Sequence, residues 1–310
     1  MITFIYVVLV FLILRFSVTL FNFLSNPKLG KYGKHFTDKV TILITPSPDE
    51  ERHELLLKSI RQQDYEHIEV IVSAADNQEE LDRAAQNCDY LLFLDAHTTI
   101  SSGLINSLIY RTKVFDLAML SIIPDEITYS FLERCILPVK DFVLLNLVPL
   151  RLIRLLPGQV FAVASDKCMF FNAALYRNHG WNAGREVIRT IKAENYKVET
   201  LLGNRLISIS QSDHQSNLLS LSGKDLLLTF GNNGIAAVLY LVLVVAGPLI
   251  MLANYEYALL IMPVGLIFLT RVMISFLARQ NPLLNVLLHP VQMIMLLIAL
   301  SKAVFMRIFM

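Results

Sequence analysis

Long apolar runs lie at the two ends of the chain and leave the middle more polar. Residues 2–24 form one run, in which Arg15 is the only charge. Three more runs, at 235–254, 257–278 and 283–306, lie near the C-terminus. Each is close to the ~20 residues that a helix needs to cross a bilayer. The pattern therefore predicts membrane helices at both ends of the chain.

The first run is predicted to be a retained transmembrane anchor over 1–27, and the later runs a membrane region over 230–310. A cleaved signal peptide is the alternative for the first run, but the run is long and lacks both a basic start and a small-residue cleavage site. Arg271 and His289 lie inside the later runs. Ionisable residues in such places usually face the interior of a helix bundle or mark a functional path; near a helix end the alternative is that they snorkel to the membrane surface.

Between these ends, short β-branched runs alternate with segments of helical periodicity. The strand-like runs are VTILIT (40–45), IEVIVS (68–73), YLLFLD (90–95) and LAMLSII (117–123). Between the first two, residues 51–63 place Leu55, Leu56 and Ile60 at helical spacing. This alternation is typical of a mainly parallel sheet covered on both faces. We predict an α/β domain of this kind over residues 35–215.

Residues 128–156 are apolar but are broken by Pro138 and Pro149. One interpretation is a set of interfacial helices on the membrane surface, with Arg151 and Arg154 near lipid headgroups. The other is a hydrophobic cover for the sheet. The sequence favours neither.

Composition and charge agree with a membrane protein. The chain has 310 residues, of which 55% are hydrophobic and 17% charged, and its mean hydropathy is +0.53. These values are too apolar for an ordinary soluble domain. The net charge of +1 gives no general case for nucleic-acid binding. Four lysines follow the first run, so we expect the domain after it to face the cytoplasm.

The chemistry-bearing positions follow the predicted strands. Asp95 and His97 come at the end of the strand-like run 90–95, and side chains at i and i+2 of a strand share a face. The two could therefore converge on one ion. By itself the tripeptide is more typical of a strand running into a polar turn, but the carboxyl ends of parallel strands are where α/β folds bind ligands.

The order of these segments resembles the front half of family-2 glycosyltransferases, which adopt the GT-A nucleotide-sugar fold. The residues that carry the resemblance are VTILITPSPDEE, then QDYEHIEVIVSAADN, then YLLFLDAHTTI. The similarity covers residues 40 to 120 closely and 158 to 230 more loosely. The flanking membrane segments suit the subset of the family that acts on lipids and carotenoids.

The resemblance implies a role for each matched residue. Asp95 and His97 stand for the Asp-x-Asp motif and would bind Mn²⁺ or Mg²⁺, of which Mn²⁺ accepts both oxygen and imidazole ligands. Glu186 is the implied general base. The implied nucleotide-binding residues are Pro46, Ser47, Asp49, Glu51 and Asp76. For Asp49 a helix cap is the alternative interpretation, and both roles could hold at once.

Three departures from the family pattern bear on activity. Ala74-Ala75 stands where a carboxylate pair is expected, and Ala183-Gly184 stands where Glu-Asp is expected. Only Gln211 remains of the motif Gln-x-x-Arg-Trp that marks processive members. The sequence therefore leaves two hypotheses. One is a non-processive, inverting transferase that moves a sugar from a nucleotide sugar to a lipid-type acceptor. The other is an inactive, glycosyltransferase-like membrane scaffold or partner subunit.

Overall fold

The structure is a computed structural model that describes residues 2–47, 49–72, 78–159, 161–181, 184–210, 215–254 and 257–309. The contacts within the chain divide it into two compact units. The sheet unit comprises Pro27–Ile127 and Leu150–Ser210. The helical unit comprises Met1–Asn26, Thr128–Pro149 and Gln211–Met310. Each unit is therefore assembled from segments that are separated in the sequence.

Two sheets form the centre of the sheet unit. The strands are β1 (Val40–Ile44), β2 (Ile68–Val72), β3 (Tyr90–Leu94), β4 (Thr98–Ile100), β5 (Met119–Ile123), β6 (Asp125–Ile127), β7 (Cys168–Asn172), β8 (Val198–Leu202) and β9 (Ile207–Ser210). The larger sheet has the order β2-β1-β3-β7-β5-β8, and the smaller has the order β4-β9-β6. In the larger sheet only β7 runs against the other described strands. The predicted α/β fold with a mainly parallel sheet is confirmed.

Helices cover the larger sheet. They are Glu50–Arg61, Gln78–Gln86, Leu104–Phe115, Leu152–Leu155, Ala173–His179 and Val187–Ala193. Buried apolar side chains of β1, β3 and β5 pack against those of Glu50–Arg61 and Leu104–Phe115 in one hydrophobic core. The apolar runs that form β1, β3 and β5 thus become central strands because both of their faces are covered.

A buried ionic cluster lies at the amino end of β8. Glu199 is fully buried, and its carboxylate accepts hydrogen bonds from Arg111 Nε at 2.6 Å and Nη2 at 2.7 Å. Arg151 Nη1 donates to it at 3.2 Å, and Arg154 Nε lies 3.8 Å away. The guanidinium carbons of Arg111 and Arg154 lie 4.0 and 3.5 Å from the centre of the Phe115 ring. One carboxylate therefore compensates three cations.

The helical unit contains no strand among its described residues. Its helices are Ile2–Ser25, Phe131–Leu147, Gln215–Thr229, Gly234–Leu241, Gly247–Asn254, Tyr257–Leu277, Pro282–Leu287 and His289–Phe309, with a π-helical turn at Val242–Ala246. Three helical stretches are long and apolar enough to cross a membrane: Thr3–Ser25, Leu260–Leu277 and His289–Arg307. A fourth crossing is possible by length and composition if Leu218–Thr229 and Gly234–Ile250, which meet at 104°, act as one span.

The segment predicted as interfacial helices divides between the two units. The helix Phe131–Leu147 belongs to the helical unit, and the short helix Leu152–Leu155 belongs to the sheet unit. A capping box starts the longer helix: Ser130 Oγ accepts from the Glu133 N–H, and Glu133 accepts from the Ser130 N–H. Its residue Asn146 accepts a hydrogen bond from Arg15 Nε of the first helix at 3.1 Å. A position of this helix at a membrane surface stays a prediction.

Two glycines mark close approaches inside the helical unit. A Cβ atom added at Gly223 would overlap the backbone carbonyl of Ala299 in the helix His289–Phe309. A Cβ added at Gly247 would lie 2.8 Å from the Val8 methyl groups. Both glycines allow the helices to pack more closely than any side chain would permit.

Candidate functional site

The carboxyl ends of β1 and β3 lie beside the start of the antiparallel strand β7. The Thr45 N–H, just after β1, donates to the Leu94 carbonyl of β3 at 3.2 Å. The Asp95 N–H, just after β3, donates to the Lys167 carbonyl before β7 at 3.1 Å. The pairing of Leu94 with Cys168 fixes this register. The loop after β1, Asp95 and Lys167 are therefore adjacent.

Asp95 and His97 are brought together by a turn rather than by alternation along a strand. The strand β3 ends at Leu94, and Asp95 Oδ1 accepts the His97 N–H at 2.9 Å. The same oxygen lies 3.0 Å from His97 Nδ1. The Thr98 N–H and hydroxyl both donate to the Asp95 carbonyl, at 3.0 and 2.6 Å. This turn leaves Nε2 as the ring nitrogen available to an outside ligand.

The second oxygen of Asp95 is bound by Lys167. Its Nζ lies 2.7 Å from Asp95 Oδ2. Burial alone would raise the pKa of Asp95, but the His97 hydrogen bond and the Lys167 ammonium outweigh that effect and hold the pKa well below its ordinary value. Asp95 is therefore charged at every physiological pH.

Hydrogen bonds to the neighbouring strands hold the loop that carries Lys167. The Ser165 N–H donates to Ser121 Oγ of β5 at 2.8 Å, and Ser121 Oγ lies 3.1 Å from the Ser165 carbonyl. Thr200 of β8 donates to the Val163 carbonyl at 2.6 Å. Since Ser121 and Thr200 are both fully buried, the loop that carries Lys167 is attached to the core of the sheet unit.

The donor set at Asp95 fits a divalent ion only in part. A carboxylate oxygen and an imidazole nitrogen are suitable ligands for Mn²⁺, but no group of three or more potential ligands is present in the described residues. Water and phosphate oxygens of a bound nucleotide would have to complete the coordination shell. The ion would also have to displace Lys167 from Oδ2, because two cations cannot share that oxygen without strong repulsion.

The loop after β1 connects to the same region. Asp49 caps the helix Glu50–Arg61: its Oδ1 accepts the Arg52 N–H at 3.2 Å, and its Oδ2 lies 3.3 Å from Arg52 Nε. Ser47 Oγ accepts the Asp49 N–H at 3.2 Å. Arg52 Nη1 donates to the Ser210 carbonyl at 3.0 Å, and the Ser210 N–H donates to the His97 carbonyl at 3.3 Å. A chain of hydrogen bonds thus joins this loop to the Asp95 turn.

The remaining predicted nucleotide-binding residues have fewer contacts or are not described. Pro46 is exposed on the loop after β1, and Glu51 is exposed in the first turn of the helix Glu50–Arg61. Asp76 and the Ala74-Ala75 pair lie outside the described residues, as do Ala183 and Gln211. The roles predicted for these residues stay predictions.

Glu186, the predicted general base, is exposed and paired with a neighbour. Its side chain is 60% exposed, and Oε2 lies 3.0 Å from Arg189 Nη1 one turn later. No contact among the described residues joins it to Asp95 or His97. The preceding residue, Arg185, lies 2.9 Å from the Asp166 carboxylate, next to Lys167 in sequence. Glu186 thus follows a residue that is bound to this loop, but the Glu186 carboxylate itself has no described contact with Asp95.

The Gln63-Asp64-Tyr65 motif, which carries much of the sequence resemblance, has a structural role. Asp64 Oδ1 accepts the N–H of Gly103 at 2.8 Å, where Gly103 adopts φ 91° before the helix Leu104–Phe115. The Tyr65 hydroxyl donates to the Asp38 carbonyl at 2.6 Å. These bonds fix the entry to β1 and the start of the helix, so the motif positions the site from a distance.

Sequence reasoning missed two cations of the site, Lys167 and Arg52. Arg52 had a signal, since a basic residue three positions after a predicted cap can reach back to it. Lys167 had none, because its place beside Asp95 depends on β7 pairing with β3 across more than 70 residues.

No protein-family model matches the chain, and no curated protein matches it significantly. Among solved structures, the mannosyltransferase PcManGT from Pyrobaculum calidifontis, in complex with GDP-Man and Mn²⁺, is 12% identical over 97% of this chain and 99% of its own, with a TM-score of 0.49. S. aureus TarS 1-349 in complex with UDP-GlcNAc is 12% identical over 87% of this chain and 91% of its own, with a TM-score of 0.36. At these TM-scores the likeness carries no argument about what this chain does.

Proposed function

We propose that this protein is a membrane-bound glycosyltransferase. It moves one sugar from a nucleoside-diphosphate sugar to a lipid-type acceptor, with inversion and without processive polymerisation. The observation that carries the proposal is the meeting of Asp95, His97 and Lys167 where β1 and β3 end. Ligands of α/β folds bind at this edge, and these groups suit a diphosphate and its counter-cation. The sequence resemblance to family-2 glycosyltransferases leads to the same function.

The reaction needs positive charge where the diphosphate leaves. A divalent ion, when bound, supplies Lewis-acid stabilisation of that leaving group, and Asp95 and His97 would hold it. The ammonium of Lys167, once displaced from Asp95, is free to donate to a phosphate oxygen. Pro46, Ser47 and Asp49 on the loop after β1, and Glu51 in the first turn of the next helix, would line the nucleotide. Asp76 is proposed to bind the nucleotide as well.

The acceptor side of the proposal depends on Glu186 and on the helical unit. Glu186 would remove the proton of the acceptor after releasing Arg189. Helices that are long and apolar enough to cross a membrane support a lipid-type acceptor. The four lysines after the first helix support a sheet unit on the cytoplasmic side.

Calorimetry of the purified chain tests the donor site. UDP and GDP are titrated with Mn²⁺ and again with EDTA. We expect at least one nucleotide to bind with Mn²⁺, and Asp95→Asn to weaken that binding by at least ~10-fold. The matched control is Asp116→Asn, because the Asp116 carboxylate is 95% exposed and ends a different helix. Failure of the wild-type chain to bind either nucleotide would overturn the proposal.

A second candidate function is a non-catalytic membrane scaffold, and the exposure and pairing of Glu186 favour it. Hydrolysis of a bound nucleotide sugar separates the two. In an active enzyme, Glu186→Gln should slow turnover by roughly 10²- to 10⁴-fold while leaving nucleotide affinity unchanged. A scaffold should show no turnover in the wild-type chain. Asp166→Asn serves as the comparison, since Asp166 is the alternative carboxylate beside Lys167.

A further inference from the structure

The helical unit encloses an apolar cavity of about 500 Å³. It lies among the segment Val242–Asn254, the helix Tyr257–Leu277 and the helix His289–Phe309. Its walls are aliphatic and aromatic, and several of the lining side chains are also on the outer surface of the unit. Leu249, Val264, Phe268 and Ile294 are 62%, 57%, 49% and 54% exposed. In helices of membrane-spanning length such side chains face lipid, so the cavity is open to the side.

One wall of this cavity carries a buried, unsatisfied cation. Arg271 is 1% exposed, and neither Nη1 nor Nη2 has a hydrogen-bond partner among the residues that the structure describes. Its Nε donates to the Asn285 carbonyl at 3.4 Å. A guanidinium stays charged in proteins, and a buried charge without a counter-ion is costly. Two of its nitrogen atoms are therefore available to an anion.

The neighbouring groups are one further cation, Arg15, one imidazole, His289, and one carboxylate, Asp141, whose charge acts on Arg271. The guanidinium carbons of Arg15 and Arg271 lie 5.0 and 4.6 Å from the centre of the same ring, Phe142. His289 lines this cavity and also a smaller one beside Arg15, and its Nδ1 has no partner among the described residues. The nearby Asp141 accepts a hydrogen bond from Gln280 at 2.7 Å. No ion pair of Arg271 occurs within the described part of the chain.

We propose that this cavity binds a phosphate-bearing membrane lipid. The acyl chain lies along the apolar walls, and two phosphate oxygens accept hydrogen bonds from Arg271 Nη1 and Nη2. Guanidinium binds phosphate in this bidentate way, and basic pockets between membrane helices bind anionic headgroups. The volume lies within the range of ligand pockets.

The depth of Arg271 suits a headgroup. It lies six residues before Leu277, the last residue of its helix, so it is ~9 Å along the axis from that end. With Leu277 at the boundary of a hydrocarbon core ~30 Å thick, the guanidinium would lie in the outer third of that core. A lipid from the adjacent leaflet reaches this depth without leaving the membrane. The proposal is independent of sugar transfer.

Native mass spectrometry of the detergent-purified chain tests the proposal. Lipid-depleted protein is titrated with phosphatidylglycerol, with phosphatidylcholine and with inorganic phosphate. We expect one phosphatidylglycerol to bind per chain, and phosphatidylcholine to bind at least ~10-fold more weakly, because its choline cancels the anionic charge. Equal binding of the two lipids would overturn recognition by charge. If inorganic phosphate bound as tightly as phosphatidylglycerol, the acyl chain would contribute nothing to binding, and that part of the proposal would be overturned.

Three variants locate the site. Arg271→Gln should weaken phosphatidylglycerol binding by at least ~10-fold, whereas Lys302→Gln should leave it unchanged, since Lys302 is an exposed cation on the helix His289–Phe309. Val264→Trp fills the cavity and leaves Arg271 in place, so it should also expel the lipid. It keeps the test valid if Arg271→Gln does not fold. Wild-type lipid binding by Val264→Trp would show that the lipid lies elsewhere.

Discussion

At the scale of single residues, the sheet unit depends on one fully buried carboxylate. Glu199 is the common partner of Arg111, Arg151 and Arg154. Burial lowers the pKa of both Arg151 and Arg154, and the charge of Arg111 lowers both further. The carboxylate therefore offsets the repulsion among three buried guanidinium groups. Without it, their positive charges would be uncompensated.

We expect Glu199→Gln to destabilise the sheet unit by about 3–5 kcal/mol, the cost of leaving one side of a buried ion pair uncompensated. Chemical denaturation in detergent, followed by the fluorescence of the single, buried Trp181, measures this change. Lys113→Gln is the control, because the Lys113–Asp38 pair is 2.8 Å long but its lysine is 44% exposed. Such pairs contribute about 1 kcal/mol or less. Equal losses in the two variants would contradict the expectation.

Part of the candidate site could be predicted at this scale. Asp95 and His97 were identified because a carboxylate and an imidazole two residues apart follow an apolar run, and the structure places their side chains 3.0 Å apart. The reason for their proximity was wrong, since a turn and not a strand joins them. Lys167 could not be predicted from local sequence, because a long-range strand pairing brings it to Asp95.

At the scale of elements, four of the five parallel strands of the larger sheet could be predicted from the sequence, and the place of the antiparallel strand could not. The apolar runs at 40–45, 90–95 and 117–123 became the buried strands β1, β3 and β5, because a strand buried on both faces needs a continuous apolar sequence. The run at 68–73 became β2, which lies at the edge of the larger sheet and is partly exposed. The strand β7 has the sequence CMFFN and is as buried as β5. An apolar run does not indicate whether a strand pairs parallel or antiparallel with its neighbours, so the position of β7 between β3 and β5 could not be inferred.

The crossing at Gly223 makes a prediction for the helical unit. Gly223→Val should lower stability by about 1–3 kcal/mol, because the added side chain meets the backbone of Ala299 and forces the helices apart. Gly265→Ala is the matched control. Its Cβ would meet nothing within 4 Å, so helix propensity should stabilise the chain by up to ~1 kcal/mol. Thermal melting by circular dichroism in detergent compares them. If Gly223→Val had the same melting temperature as the wild type, the two helices could separate without loss of stability, and the expectation would be wrong.

At the scale of the whole molecule, the proposed cytoplasmic position of the sheet unit can be tested by labelling. In a Cys88→Ser background the two remaining cysteines, Cys135 and Cys168, are buried. Thr37→Cys then reports the exposed side of the sheet unit, and Thr3→Cys reports the start of the first helix. A maleimide that cannot cross membranes, applied to intact cells, should label Thr3→Cys but not Thr37→Cys. The opposite pattern would reverse the orientation.

The interleaving of the two units has a consequence for synthesis. The helical unit contains Met1–Asn26 and Gln211–Met310, so its first helix leaves the ribosome long before most of its packing partners exist. Until they arrive, the buried face of that helix, including Arg15, has only lipid or other proteins around it. No single truncation isolates either unit, because any cut between residues 27 and 210 removes part of both. The helical unit can therefore be completed only after residues 211–310 have been synthesised. Nascent chains stalled before residue 211 should be the form most exposed to quality-control proteases.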